Sequence, residues 1–520
     1  MSRAASRAAP ADDGFPIPPG QRPIAAMVIF LANLMVTLDT TVANVSVPHI
    51  ASNLGATTDQ GTWVITSYAV AEAICVPLSG WLIQRFGMVR VFMVSLAGFS
   101  LFSLLCGLSV TLPMLVACRI GQGLCGGPIL PIAQTAVLRI FPPRQLPMAY
   151  AVWTLTVMLG PAFGPIIGGA MSDQVSWHWI FLINVPIGAF CMMIGLLTLR
   201  PIESEARKVP IDRVGMILLV IWISSLQLML DTGRERDWFA STEIIALTVT
   251  AVVAFLAFIV WELTEEHPVV DVRLFGNRTF ATCVAASSLC FGAYFSGLVT
   301  VPQWLQATMG YSATSAGMIT ALGAFASMLS AQLTLRLAPR LDPRVLVTMG
   351  CVWAAGSFIA RTTWSTDADT FTLAWIFALQ GFGMPMLLMP LTSMTMNSMS
   401  SDDVPTGAGL NNFVRTMSIA VATALILTTW NSAQVVSRAG LVEGLDPANV
   451  GATLGRAGLT DTAAAGYLSA LVDRQAVTLA MIQTFYVGAI AMLVSAAAIW
   501  MVPRMDQTRF RGARGSADAH

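Results

Sequence analysis

Four ionisable side chains stand inside long apolar stretches of this sequence: Asp39 in LANLMVTLDTTVANVSVP, Glu72 in TSYAVAEAICVP, Arg119 in VACRIGQG and Arg415 in NNFVRTMSIAV. A charge in hydrocarbon is costly enough to need a purpose, and the available purposes are proton exchange, ion pairing and binding of a charged ligand. Asp39 fits two of these: a relay that takes up and releases a proton, or a fixed ion pair with Arg119. Glu72 shares a helical face with Tyr68 and Ile65, so it points into a bundle as a second proton or cation site. Arginine keeps its proton in a protein, so Arg119 and Arg415 cannot carry one. Their role is electrostatic, holding a carboxylate or capping a backbone.

Other polar residues accompany them. Arg119, Gln122 and Gly123 fall on one helical face, and Asn411 and Asn412 lie one turn before Arg415. Facing each other, these stripes would line a cavity together with Asn33, Tyr68, Trp153, Tyr294 and Gln380. The alternative is interhelical hydrogen bonding, with the three aromatic residues as packing. The segment GPAFGPIIGG repeats glycine every four residues, at Gly160, Gly164 and Gly168, with Gly169 beside the last. Such a stripe admits a second backbone at close range, and Pro161 and Pro165 remove helix donors and permit bending. That suits a rocking element or plain packing equally.

Several chemistries are excluded. Gly121-Gln-Gly123-Leu-Cys-Gly126 matches GxGxxG, but the dinucleotide fingerprint follows a strand and opens a helix, whereas this one lies within a continuous apolar helix. No Walker A sequence occurs and the sole lysine, Lys208, is in a charged loop, so the chain has no evident ATPase of its own. His49, His178, His267 and His520 are scattered, and the eight cysteines fall in apolar segments without a CxxC pair. Neither a metal, a cofactor nor membrane-embedded catalysis is expected.

Helices in a bilayer must hold these residues. The 520 residues are 55% hydrophobic and 11% charged, where a soluble chain carries about 25% charged residues. The 28 Lys and Arg balance 28 Asp and Glu, which points to no nucleic-acid partner. About 20 apolar residues cross a hydrocarbon core, and spans are expected at 24–48, 62–84, 88–108, 111–138, 147–171, 178–199, 213–230 and 243–262. The second half adds 279–301, 313–336, 344–362, 370–397, 406–430 and 477–502. Tryptophans near span ends, Trp63, Trp177, Trp179, Trp238 and Trp304, suit the membrane interface.

Twenty of the 28 basic residues lie on the side of the N-terminus, including Arg85 and Arg90. Arg234, Arg236, Arg361, Arg438, Arg456 and Arg474 lie on the other. Cytoplasmic loops retain positive charge, so both termini are expected in the cytoplasm. A shift of 258 positions places Gln122-Gly123 on Gln380-Gly381 and Pro147 on Pro405. The expected organisation is a disordered tail (1–22), a six-helix bundle (23–199), an inserted helix pair with its loops (200–278), a second six-helix bundle (279–502) and a tail (503–520). An outward loop, 431–476, interrupts the second bundle with short amphipathic helices and is either a partner contact or a solvated cap.

These ordered motifs resemble the fourteen-helix drug:proton antiporters of the major facilitator superfamily. LDTTVANVSVP is similar to that family's L-D-x-T-x-x-N-x-A-x-P, which carries over Asp39, Thr41, Asn44 and Pro48. GTWVITSYAVAEAICVPLSGWL, CRIGQG, GPAFGPIIGG, WIFLINVPIG and NNFVRT resemble its motifs in spans 2, 4, 5, 6 and 13. The loop GWLIQRFGMVR is similar to the superfamily's loop after span 2, carrying over Gly80, Arg85, Gly87 and Arg90. Three places depart: Gln84 stands where Asp is usual, Glu72 where a neutral residue is, and His178 within what is usually Trp-Arg-Trp.

The resemblance implies an all-α membrane protein with the major-facilitator fold, two six-helix halves plus two inserted helices. It implies export of amphipathic or hydrophobic small molecules, in exchange for protons, from a bacterial inner membrane. It also implies an EmrA-like periplasmic adaptor and a TolC-like outer-membrane channel, with no enzymatic activity. A dedicated exporter of one metabolite or fatty acid stays open and, more remotely, a membrane enzyme or receptor subunit.

Overall fold

The computed structural model describes residues 15–142, 145–206, 209–233, 236–338, 340–400, 403–444 and 461–503, and among them it contains helices and no strand. The first half comprises α1 (Arg22–Asn53), α2 (Thr58–Phe86), α3 (Met88–Gly107), α4 (Leu112–Gly126), α5 (Ile129–Ile140), α6 (Leu146–Gln174), α7 (His178–Leu182) and α8 (Asn184–Thr198). Next come α9 (Arg213–Thr232) and α10 (Thr242–Thr264). The second half comprises α11 (Arg278–Ala307), α12 (Ala313–Leu337), α13 (Pro343–Arg361), α14 (Thr370–Asn397), α15 (Val404–Glu443) and α16 (Asp461–Ala498). Thirteen segments, counting α4 with α5 and α7 with α8 as one each, are long and apolar enough to cross a membrane. With α6 they make fourteen spans, each at the expected place.

Local chemistry sets the ends of these helices. Thr57 and Gln60 close a capping box on α2, and Asp212, Asn277, Ser312, Asp342 and Asp369 each accept a backbone N–H at the start of a helix. Such caps satisfy donors that would otherwise be stranded. The turn between α2 and α3 needs its glycine, because Gly87 has a φ of 93° and a Cβ there would lie 2.6 Å from Glu203 Oε1.

Two spans are broken. Span 4 is expected as one continuous helix, but α4 stops at Gly126 and α5 starts at Ile129, around Pro128, which has no N–H to offer. Span 6 divides between α7 and α8 so that Asn184 opens α8. The stretch expected as a 431–476 loop also differs. α15 and α16 continue well past the apolar spans as an antiparallel pair, joined by Arg438 Nε to Asp473 Oδ1 at 2.6 Å. Residues 1–14 and 504–520 of the tails and 445–460 of that loop lie outside the described residues.

Glycine decides how closely the helices pack. The stripe in α6 lies on α1: a Cβ on Gly160 would meet Thr37 at 2.6 Å, on Gly164 Thr41 Oγ1 at 2.1 Å, and on Gly168 the Val42 carbonyl at 2.9 Å. Gly123 of α4 lies against the Tyr68 carbonyl of α2, and its counterpart Gly381 of α14 against the Gly323 carbonyl of α12. The halves meet through α2 on α15, α5 on α15 and α6 on α12. At the end that carries both termini, Val137, Tyr150, Met396, Val404 and Ala408 form one apolar cluster. α9 and α10 cover the seam between α2 and α15, where Trp222 packs edge-on against Phe413.

Trp177 and Trp304, expected near span ends, face the protein interior. Both are buried, Trp304 stacking on Trp364 at 6.0 Å and donating to Thr478 Oγ1. Their indole area is worth more inside the bundle than at the headgroups. Trp63 and Trp179 remain exposed.

A methyl group added at Gly381 would lie 1.8 Å from the Gly323 carbonyl oxygen, whereas one at Gly356 would meet nothing within 4 Å. Gly381→Ala should therefore destabilise the fold by about 2–3 kcal/mol, while Gly356→Ala should hold or raise stability, by up to about 1 kcal/mol. Thermal unfolding of the two purified variants checks this.

Candidate functional site

The polar residues gather into three groups, one within each half and one between them. In the first half, Asp39 at mid-α1 is 2% exposed and Arg119 of α4 is 1% exposed. Arg119 NH1 donates to Asp39 Oδ2 at 2.6 Å and to Gln122 Oε1 at 2.8 Å, while its Nε donates to the Val64 carbonyl at 3.0 Å. Gln122 Nε2 and Asn184 Nδ2 both donate to Asp39 Oδ1, at 3.0 and 2.7 Å. Ser103 Oγ of α3 accepts from both amides and donates to the Phe181 carbonyl. The Tyr68 ring covers the guanidinium at 4.0 Å. Helices α4 and α8 thus supply three donors to the carboxylate of α1, α2 and α3 hold those donors in place, and every donor on it complements a negative charge.

Asn184 and Ser103 were not singled out from sequence. Their signals were faint: a polar residue opening a broken span, and one serine among several in α3. Glu72, one turn beyond Tyr68, is half-buried and makes no hydrogen bond or ion pair among the described residues, with Arg119 and Arg415 both in electrostatic reach. Asn33 donates to Thr156 Oγ1 at 2.7 Å and leaves its own Oδ1 without a partner. Beside it an apolar groove of about 500 Å³ opens between Phe30, Leu34, Phe141 and Val152.

Between the halves, Asn412 donates to Gln134 Oε1 of α5 at 2.7 Å. Arg415 reaches neither Asp39 nor Arg119. Its guanidinium lies over the rings of Phe291 (4.8 Å) and Trp153 (5.7 Å), where with Asn411, Ser287 and Thr395 it lines a cavity of about 10 Å³, the size of one water. In the second half, Arg361 is expected at the outward end of span 344–362 and is fully buried at the end of α13, donating from NH2 to Gln380 Oε1. Tyr294 is buried in electrostatic reach of it. Trp364 and the α16 ring of Phe485 close over Arg361, so burial follows from tertiary packing that Lys and Arg counting cannot see.

The sequence signature described as Major Facilitator Superfamily matches residues 29–423. The chain belongs to this superfamily. It is a membrane transporter, not an enzyme. It is 39% identical over 97% of its length to the multidrug export protein EmrB of Escherichia coli, covering 99% of that protein. It is 38% identical over 91% of its length to the fatty acid resistance protein FarB of Neisseria gonorrhoeae, covering 94% of it. The proton:xylose symporter XylE shares the fold, with a TM-score of 0.58 at 13% identity over 93% of this chain and 96% of that one.

The superfamily's loop and glycine motifs take definite places. Gly80 lies against Thr406 of α15, a Cβ there coming within 2.7 Å of the Thr406 Cα, and Gln84 Nε2 donates to Thr406 Oγ1 at 3.2 Å. A neutral amide thus links the two halves at this position. Arg85 lies over the Trp81 ring and donates to the Val209 carbonyl. Arg90 is exposed, 4.0 Å from Glu203, whose Oε1 accepts the Val89 N–H at 2.9 Å. Thr41 Oγ1 donates to the Gly160 carbonyl at 3.0 Å, tying the glycine stripe to α1 two residues from Asp39, while Gly169 is buried in the same helix. The side chains of Pro161 and Pro165 lie outside the described set.

Removing one member of a buried pair leaves an uncompensated charge, so Arg119→Met should cost about 3–5 kcal/mol. The double variant Asp39→Asn/Arg119→Met should recover part of that loss. Arg119→Lys should recover little, because one ammonium cannot reach Asp39, Gln122 and Val64 together. Thermal unfolding in detergent of the unmodified protein, Asp39→Asn, Arg119→Met and the double variant measures the cycle, with Arg119→Lys beside them.

Proposed function

We propose that this chain exports amphipathic or hydrophobic compounds in exchange for protons across a bacterial inner membrane, with both termini cytoplasmic. The observation that carries the reading is the buried Asp39 carboxylate with Arg119, Gln122 and Asn184 on it. Only a small cation can replace the guanidinium there, and a proton is the smallest. A proton on Asp39 Oδ2 neutralises the charge that holds Arg119, leaving the guanidinium to Gln122 and the Val64 carbonyl. The same helix carries Thr37 and Thr41 against the α6 glycines, and α6 packs on α12 of the other half, with Phe163 edge-on to Phe325 at 5.8 Å. A change at Asp39 thus has a route of packed backbone to the interface between halves. Glu72, half-buried without a partner, supplies a second titratable carboxylate.

Separation of the apolar cluster at Val137, Tyr150, Met396 and Val404 would open the cytoplasmic end, and rocking back would open the other. The apolar groove beside Phe30 and Asn33 suits lipophilic cargo. Resemblance to EmrB supports export of many compounds, together with a periplasmic adaptor of the EmrA kind and a TolC-like channel. The projecting ends of α15 and α16, with Val435, Val436, Val442 and Tyr467 exposed, are the surface offered to that adaptor. A narrower reading, export of an acidic lipid, is favoured by Arg415 in the small cavity walled by α11, α14 and α15 of the second half and by the likeness to FarB.

Asp39→Asn should abolish drug-driven proton movement in proteoliposomes while the protein still binds cargo. Undiminished coupling in that variant would remove Asp39 from the mechanism, and efflux indifferent to collapse of the proton gradient would remove antiport itself.

A further inference from the structure

The second half contains a buried cation with no counter-charge. Arg361 is fully buried, and no carboxylate among the described residues pairs with it. Its NH2 donates to Gln380 Oε1, but its Nε and NH1, Gln380 Nε2 and Trp364 Nε1 are all buried donors without an acceptor. Rings of Phe377 (4.1 Å), Phe358 (5.4 Å), Trp364 (5.5 Å) and Phe485 (5.7 Å) surround the guanidinium. Ring faces attract a cation, but they leave its in-plane N–H groups unanswered. Four buried donors on three neighbouring side chains, none with an acceptor among the described residues, describe a place for an anion.

The first half shows what is missing. The shift of 258 positions that aligns Gln122 with Gln380 also carries α1 onto α11, α3 onto α13 and α4 onto α14. It takes Asp39 to Gly297, Ser103 to Arg361 and Arg119 to Phe377. The same four positions cluster in both halves, but the cation has moved to α13 and the carboxylate is gone. A Cβ built on Gly297 would lie 3.5 Å from Arg361 NH1, with nothing nearer. By contrast, one on Gly160, Gly164 or Gly381 would collide at 2.6, 2.1 or 1.8 Å. Packing therefore does not demand glycine at 297; what its missing side chain leaves beside the guanidinium is the place of a carboxylate.

We propose that Arg361, Gln380 and Trp364, at the wall left bare by Gly297, form a subsite for a monovalent anion in the position Asp39 holds in the first half. The anion is either the carboxylate of an acidic amphipathic substrate or a free halide. The site is enclosed in this conformation, so filling accompanies the relative movement of α11, α13 and α14. The inference needs no proton coupling, and its test measures binding without transport, so it and the antiport reading can fail separately.

The full-length protein in nanodiscs, in sulfate buffer, is titrated with bromide, laurate or methyl laurate while its thermal unfolding midpoint and tryptophan fluorescence are followed. The midpoint should rise saturably with bromide or laurate and not with the uncharged ester. A response to bromide alone identifies a halide site, and one to laurate alone a substrate carboxylate. Gly297→Asp supplies the carboxylate covalently; it should raise the midpoint in sulfate alone and weaken the anion response at least tenfold. Gly297→Asn, similar in shape and neutral, should give no such rise. The proposal is overturned if the unmodified protein responds to neither anion, or if Gly297→Asp responds as strongly as it does.

Discussion

A carboxylate held away from water needs donors supplied by the protein itself, and the pairing of Asp39 with Arg119 organises the first half around that need. Both groups are almost wholly buried, so neither can take its partners from solvent. The requirement reaches into four other helices: α2 offers the Val64 carbonyl and the Tyr68 ring, α3 Ser103, α4 Arg119 and Gln122, and α8 Asn184. The break between α7 and α8 is part of the same arrangement, since it sets Asn184 at the start of a helix facing the carboxylate. Breaking the pair without replacing its charge would cost more than most packing errors. Neutralising Asp39 would remove the charge that holds Arg119, at less cost than removing either side chain.

The helical count, the insertion of α9 and α10, and the presence of Asp39, Arg119 and the glycine stripe were legible in sequence because each is a local signal. Twenty apolar residues announce a span, and a charge within one announces a site. What was not legible is tertiary. Arg361 ends its helix on the outward side, where a basic residue reads as exposed, and only the fold brings Trp364, Phe377 and Phe485 around it. Trp304 likewise occupies a span end yet stacks inside the bundle. The extent of α15 and α16 beyond the apolar runs was hidden because an Ala-rich polar stretch forms helix as readily outside a membrane as within one.

The stripes at Arg119 and Arg415 show how a face read from spacing can be right in register and yet engage a different neighbour. Both lie toward the interior, but Arg119 turns to α1 in its own half, while Arg415 meets the rings of Phe291 and Trp153 between halves. Spacing gives the face of a helix, not the element opposite. Asn412 is the residue of that second stripe that does cross, and it reaches Gln134 on α5.

Internal repetition explains why the two halves pack alike and bind differently. Glycine at the α2–α4 and α12–α14 crossings, Gly123 and Gly381, is set by backbone distance, so duplication leaves it fixed. The glutamines beside them, Gln122 and Gln380, each keep an arginine partner. The charged positions are under no such steric limit, and there the halves diverge: one carries a complete ion pair, the other a guanidinium facing a glycine. The carboxylate is covalent on one side of the pseudo-symmetry, and on the other the buried guanidinium N–H groups have no acceptor among the described residues. The half with the covalent carboxylate is suited to exchange a small cation. The half without it faces a glycine with an unpaired guanidinium, and α6 packed on α12 is where the two halves meet between these sites.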